Sequence, residues 1–170
     1  MVYKVDRRLV LLTVILLIAS LFFTVSVYFS NIGRGGLIVC FIVVVFILYN
    51  LLVLISKKIE VKGTEICQTT LYGKKTVDIS KIEDIGVVKL RWRVLLIISD
   101  PHKFVFISSF YEDFEGFVQY LKDNLTGYLE SLLKPVSDKV IRKKRKFLIT
   151  VVIGLTIFFI GSGVYNILYR

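Results

Sequence analysis

Three stretches of this chain, residues 9–29, 37–55 and 147–169, contain no Asp, Glu, Lys, Arg or His. A bilayer's hydrocarbon core is about 30 Å thick, so about 20 helical residues cross it. Lipid offers the backbone no hydrogen-bond partner, so such stretches must be helical. The pattern predicts three membrane spans. A secretory signal is the competing reading of the first stretch, but its apolar segment runs only about 7–15 residues, and Ala19 and Ser20 do not mark a cleavage site. The expectation is a retained span.

Residues 30–36, Ser-Asn-Ile-Gly-Arg-Gly-Gly, carry turn chemistry and predict an external turn joining the first two spans into a helical hairpin. The formal charge of +10 is unevenly placed. Lys4, Arg7 and Arg8 precede the first span, Lys57 and Lys58 follow the second, and Arg142, Lys143, Lys144, Arg145 and Lys146 precede the third. Opposite them stand Arg34 in the turn and Arg170 at the end. The positive-inside bias therefore predicts a multi-pass protein of the cell membrane, with residues 1–8 and the central region cytoplasmic and the C-terminus outside. Cys40 falls in a span and Cys67 in the central region, so no disulfide framework is indicated.

Between the second and third spans the composition changes to mixed charge with apolar alternation, as a water-exposed domain over residues 57–133 requires. Residues 57–62 alternate with period two, Gly63-Thr64 is a turn, and residues 65–71 pair back as a second strand. A turn at 72–75 leads to a strand at 76–79, and Ser80 would cap a single helical turn over 81–84. Strands follow at 85–91, 93–99 and 103–108, the last after an Asp100-Pro101-His102 turn. Six strands with short connections predict an antiparallel meander.

The period then changes. Phe110, Phe114, Phe117, Val118, Leu121 and Leu125 recur at three- and four-residue intervals, predicting one amphipathic helix with Ser109 as N-cap. Its apolar stripe would close the small sheet, which alone buries too little surface. Pro135 marks a break, after which a helix over 135–146 is expected to begin near Val136 and run through the basic stretch into the third span. The expected fold class is thus membrane α-helical plus α+β: three spans and a small antiparallel sheet or barrel closed by one helix.

The segments Val61-Lys62-Gly63-Thr64-Glu65-Ile66, Gly73-Lys74-Lys75 and Asp78-Ile79-Ser80-Lys81-Ile82-Glu83-Asp84-Ile85 set a strand, a glycine turn and an aspartate-isoleucine rhythm. With the closing helix, this region resembles the pleckstrin-homology-like domains of bacterial membrane proteins. The tryptophan usual before the aspartate-isoleucine pair is absent, Lys81, Ile82 and Glu83 standing there. The resemblance implies a PH-like fold and no catalytic residue.

Lys89, Arg91 and Arg93 alternate with apolar residues, so in one extended strand they would share a face. That face is either a contact for an anionic headgroup or acidic partner, or the ordinary solvated side of a sheet. The tract Arg142, Lys143, Lys144, Arg145 and Lys146 is either a lipid contact or a determinant of orientation, both arising from attraction to the anionic inner leaflet. Gly154, Gly161 and Gly163 leave a small-residue surface on the third span for helix packing or self-association, and Thr13, Ser20 and Thr24 give the first a polar fringe. No charged residue within the spans marks an ion pathway. His102 lies in a turn without neighbouring ligands, and nucleotide, hydrolase and zinc-protease motifs are missing. No enzyme activity and no cofactor are expected. Nucleic acid is not an expected partner, because the excess charge is beside the spans. The leading expectation is a noncatalytic adaptor or scaffold within a membrane complex. The alternatives are an accessory or immunity-type protein acting through its spans on a transporter or pore-forming toxin, and a lipid-sensing module.

Overall fold

The structure, a computed structural model, describes residues 1–30, 34–125 and 127–169. In chain order it contains β1 (Val2–Lys4), α1 (Arg7–Phe29), α2 (Arg34–Ser56), β2 (Lys58–Lys62), β3 (Glu65–Thr70) and β4 (Gly73–Asp78). A 3-10 turn at Ile79–Lys81 precedes β5 (Asp84–Lys89), β6 (Val94–Ser99) and β7 (Phe104–Ser108). Then come α3 (Phe114–Asn124), α4 (Tyr128–Leu132) and α5 (Asp138–Leu168). Helices α1, α2 and α5 are long and apolar enough to cross a membrane. The chain forms two compact units, one of Met1–Arg7 with Ser56–Leu148 and one of Arg8–Ile55 with Ile149–Arg170.

The first unit is α+β, with two antiparallel sheets ordered β1-β2-β3-β4 and β5-β6-β7. Alternation decides which side chains go inward. Ile59, Ile66 and Val77 of the larger sheet, and Val94, Leu96, Ile98, Val105 and Ile107 of the smaller, are fully buried. Phe114, Phe117 and Leu121 of α3 are buried with them, each contributing about 1.5–3 kcal/mol of apolar burial. At Gly63 the β2–β3 turn has φ of +57°, which favours glycine over any residue with a Cβ.

Several sequence expectations require correction. The N-terminal residues, expected as a mere cytoplasmic lead, supply a seventh strand. Tyr3 pairs with Ile59 across β1 and β2, Val5 bridges Tyr111, and the Asp6 amide donates to the Phe110 carbonyl at 2.8 Å. Tyr3 and Val5 are buried, and the Tyr3 ring meets Phe117 edge to face at 5.4 Å. The compact unit therefore extends beyond residues 57–133 at both ends. Its strands form two sheets, neither closed on itself, where one continuous meander was expected. The division falls at Asp78, whose carboxylate caps the 3-10 turn by accepting from the Ser80 amide at 3.0 Å; Ser80 is not the cap.

Helix α3 begins four residues later than expected from Phe110. Ser109 does not cap it: its buried hydroxyl accepts from the Val94 amide at 3.0 Å. Asp113, in the left-handed region with φ of 54°, caps the helix through the Gly116 amide. Pro135 lies in a turn and α5 starts at Asp138, later than the expected 135–146 helix, with Val136 buried ahead of it. The short helix α4 was not expected. Arg34, Gly35 and Gly36 belong to α2 and not to the hairpin turn, in keeping with the need of an apolar segment to satisfy its backbone internally. The rest of that turn, 31–33, and the terminal Arg170 lie outside the described residues.

Candidate functional site

The expectation that Lys89, Arg91 and Arg93 line one strand face is overturned. β5 and β6 pair from Asp84–Ser99 to Lys89–Val94, so Leu90 to Arg93 must reverse the chain. The Leu90 amide donates to the Arg93 carbonyl at 2.9 Å and closes that turn. Lys89 ends a strand, exposed, while the two arginines sit in the turn and take aromatic neighbours. Arg91 lies over the Phe147 ring at 5.3 Å and Arg93 over Phe110 at 5.6 Å. Such stacking fixes a guanidinium without neutralising it.

The basic tract is also not uniform, because one face of α5's first turns packs into the α+β unit, with Ile141 buried. Arg142 faces Glu115 at 3.5 Å, and the Lys144 ammonium donates to the Leu90 carbonyl of the turn. Arg145 reaches Asp6 at 3.5 Å and donates to the Tyr111 carbonyl at 3.3 Å. Lys143 and Lys146 are exposed.

One cation that the sequence did not place in this group joins it. Lys57, the residue after α2, is half-buried beside Arg93, and burial followed by that like charge pulls its ammonium below the usual lysine range. Buried Nε atoms of Arg93 and Arg145 have no hydrogen-bond partner among the described residues. Lys57, Arg91, Arg93, Lys144 and Arg145 thus converge from three chain segments around the 90–93 turn. Asp6 is the one carboxylate within ion-pair distance of them among the described residues.

Elsewhere on the unit, an exposed aromatic and basic surface was not anticipated. Phe104 and Phe106 point outward from β7, 46% and 44% exposed, and contact each other at 5.2 Å. The Lys75 ammonium lies 4.4 Å from the Phe104 ring centre. Leu71 and Tyr72 at the β3–β4 turn are exposed, the latter by 78%. The alternating Phe-Val-Phe-Ile of β7 displayed two apolar faces, and only the packing shows that Val105 and Ile107 take the inner one.

In the helical unit the three predicted packing glycines separate. Gly163 lies against Phe22, whose ring a Cβ there would approach within 3 Å. Gly154 and Gly161 face open space. Gly161 borders a groove of about 640 Å³ among α1, α2 and α5, lined also by Phe23, Gly36, Cys40 and Tyr165. The polar fringe of α1 turns inward on its own helix: Thr13 donates to the Leu9 carbonyl and Thr24 to the Ser20 carbonyl, each at 2.8 Å. An interhelical polar contact comes from residues not singled out beforehand. Ser30 donates to the Asn166 carbonyl at 3.2 Å, and the Asn166 amide reaches the Ser26 hydroxyl at 3.4 Å.

His102 sits in an Asx turn, its amide and that of Lys103 donating to Asp100 at 2.8 and 2.6 Å. No group of three or more His, Cys, Asp or Glu gathers among the described residues. No protein-family model matches the chain, and neither a curated protein nor a solved structure matches it.

Proposed function

We propose that this chain is a noncatalytic adaptor, multi-pass in a cell membrane, presenting a PH-like domain of the bacterial type on the cytoplasmic side. The observation that carries this reading is the pairing of β1 with β2. It requires residues before α1 and residues after α2 to share one side of the bilayer, as two crossings between them provide. Since α5 begins inside the same unit, the chain beyond it ends on the opposite side. The concentration of Lys and Arg beside the domain supports the cytoplasm as the shared side. Four-stranded and three-stranded antiparallel sheets followed by an amphipathic helix support the PH-like assignment.

The domain's exposed Phe104, Phe106, Tyr72 and Lys75 are suited to a membrane-protein partner. A photo-crosslinking residue at Tyr72 or Phe104 of the full chain, in native membranes, is expected to capture a defined partner. Capture only from positions in α2 or α5 would reject the adaptor reading. That outcome belongs to the second reading, an accessory or immunity-type protein acting through its spans. The open Gly154 and Gly161 face of α5 favours it.

A further inference from the structure

We propose that the five cations around the 90–93 turn form a binding site for the phosphate group of an anionic membrane lipid. Sequence proximity does not assemble this group, since Lys57 follows α2, Arg91 and Arg93 belong to the β5–β6 turn, and Lys144 and Arg145 come from α5. Folding brings them together against ordinary electrostatics, which would scatter like charges or intersperse carboxylates. Asp6 offsets part of the charge on Arg145; the remaining four cations have no carboxylate within ion-pair distance among the described residues.

The arginines are also held in place. Arg93 is stacked on Phe110 and Arg91 on Phe147, and the turn between them is fastened to α5 by Lys144. A guanidinium fixed in this way loses less freedom on meeting a ligand than a mobile surface side chain.

The lipid source follows from the chain positions. Lys57 adjoins the last residue of α2, and Lys144 and Arg145 lie just before the charge-free run beginning at Phe147. Cations at the ends of spans stand at headgroup level. The proposal rests on the membrane placement in the adaptor reading and is independent of its partner. A chain that binds lipid but cross-links no protein retains this site and loses the adaptor function.

The test uses the full chain in neutral detergent with fluorescent phosphatidylglycerol, with phosphatidylcholine as the uncharged comparison. Wild type is expected to prefer phosphatidylglycerol, and Lys57→Gln with Arg93→Gln is expected to weaken its binding about tenfold or more. Lys57→Gln alone, which removes no core side chain, is expected to weaken it about fivefold. Lys89→Gln with Lys143→Gln removes the same charge outside the group and should change binding less than twofold. Phosphatidylglycerol should raise the urea midpoint of wild type and of this control but not of Lys57→Gln with Arg93→Gln, which separates a lost site from a lost fold. Equal weakening by both double variants would reduce the effect to general attraction and overturn the proposal, as would absence of a preference over phosphatidylcholine. Full displacement of the lipid by millimolar inorganic phosphate would overturn the lipid source.

Discussion

Tyr3→Ala tests whether the residues ahead of the first span are part of the domain. Tyr3 is 8% exposed and meets Phe117 edge to face, while its backbone pairs with Ile59 in β2. Truncating a buried aromatic to alanine costs about 3–5 kcal/mol through lost transfer energy and the cavity left behind. The aromatic pair itself accounts for about 0.5–1.5 kcal/mol of that change. With a urea slope of about 1–2 kcal/mol per molar for a domain of this size, the midpoint should fall by about 1.5–5 M. Trp92 is the only tryptophan and lies in the α+β unit, so its fluorescence follows that unit's unfolding in the full chain in micelles. Val2→Ala, at a side chain 56% exposed, should stay within about 0.5 kcal/mol of wild type. If Tyr3→Ala matched Val2→Ala, β1 would contribute nothing to the domain, and the argument for two crossings between β1 and β2 would fail with it.

Asp113→Ala should destabilise the same unit by about 1–3 kcal/mol, losing the cap on Gly116 while leaving a Cβ-bearing residue in the left-handed region; Asp113→Asn should recover most of the loss. Both are read from the urea midpoint by Trp92 fluorescence. Lys57→Met should be more stable than wild type at neutral pH in lipid-free detergent. The folded-state pKa of Lys57 lies below the usual 10.5, so between the two values the unfolded chain holds the proton and the folded one does not, and wild-type stability rises with pH. The advantage of the variant should therefore shrink as pH climbs toward 10.5, and a constant gap would exclude this cause. Gly163→Leu should weaken the helical unit by about 1–3 kcal/mol by forcing Phe22 aside, whereas Gly154→Leu should lie within about 0.5 kcal/mol of wild type. Loss of helical circular dichroism in a denaturing-detergent titration distinguishes them.

The three helices long and apolar enough to cross a membrane were legible because such long charge-free runs satisfy their backbone internally as helices. Strands β2, β3 and β7 were legible to within one or two residues from alternation and turn residues, which are local signals. What escaped was non-local. Val2–Lys4 is too short to show a period, and its partner β2 follows two intervening helices in the chain. Ser109 has the better N-cap chemistry by propensity, yet its hydroxyl is used by Val94, and α3 starts where Asp113 can accept from Gly116. Alternation ran through residues 85–91 because Lys-Leu-Arg-Trp-Arg continues the pattern, and only the pairing of Lys89 with Val94 reveals a turn there. The convergence of Lys57 with Arg93 was invisible for the same reason, being a product of tertiary folding.

The position of β1 ahead of α1 also sets an order of assembly. β1 must wait, unpaired, until both α1 and α2 have been synthesised before its complement β2 appears. The sheet is completed only once the two ends of the α1–α2 segment have come together. Until then Ile59, fully buried in the finished sheet, lacks the Tyr3 strand opposite it, and an apolar edge left uncovered in this way is where association with other chains begins.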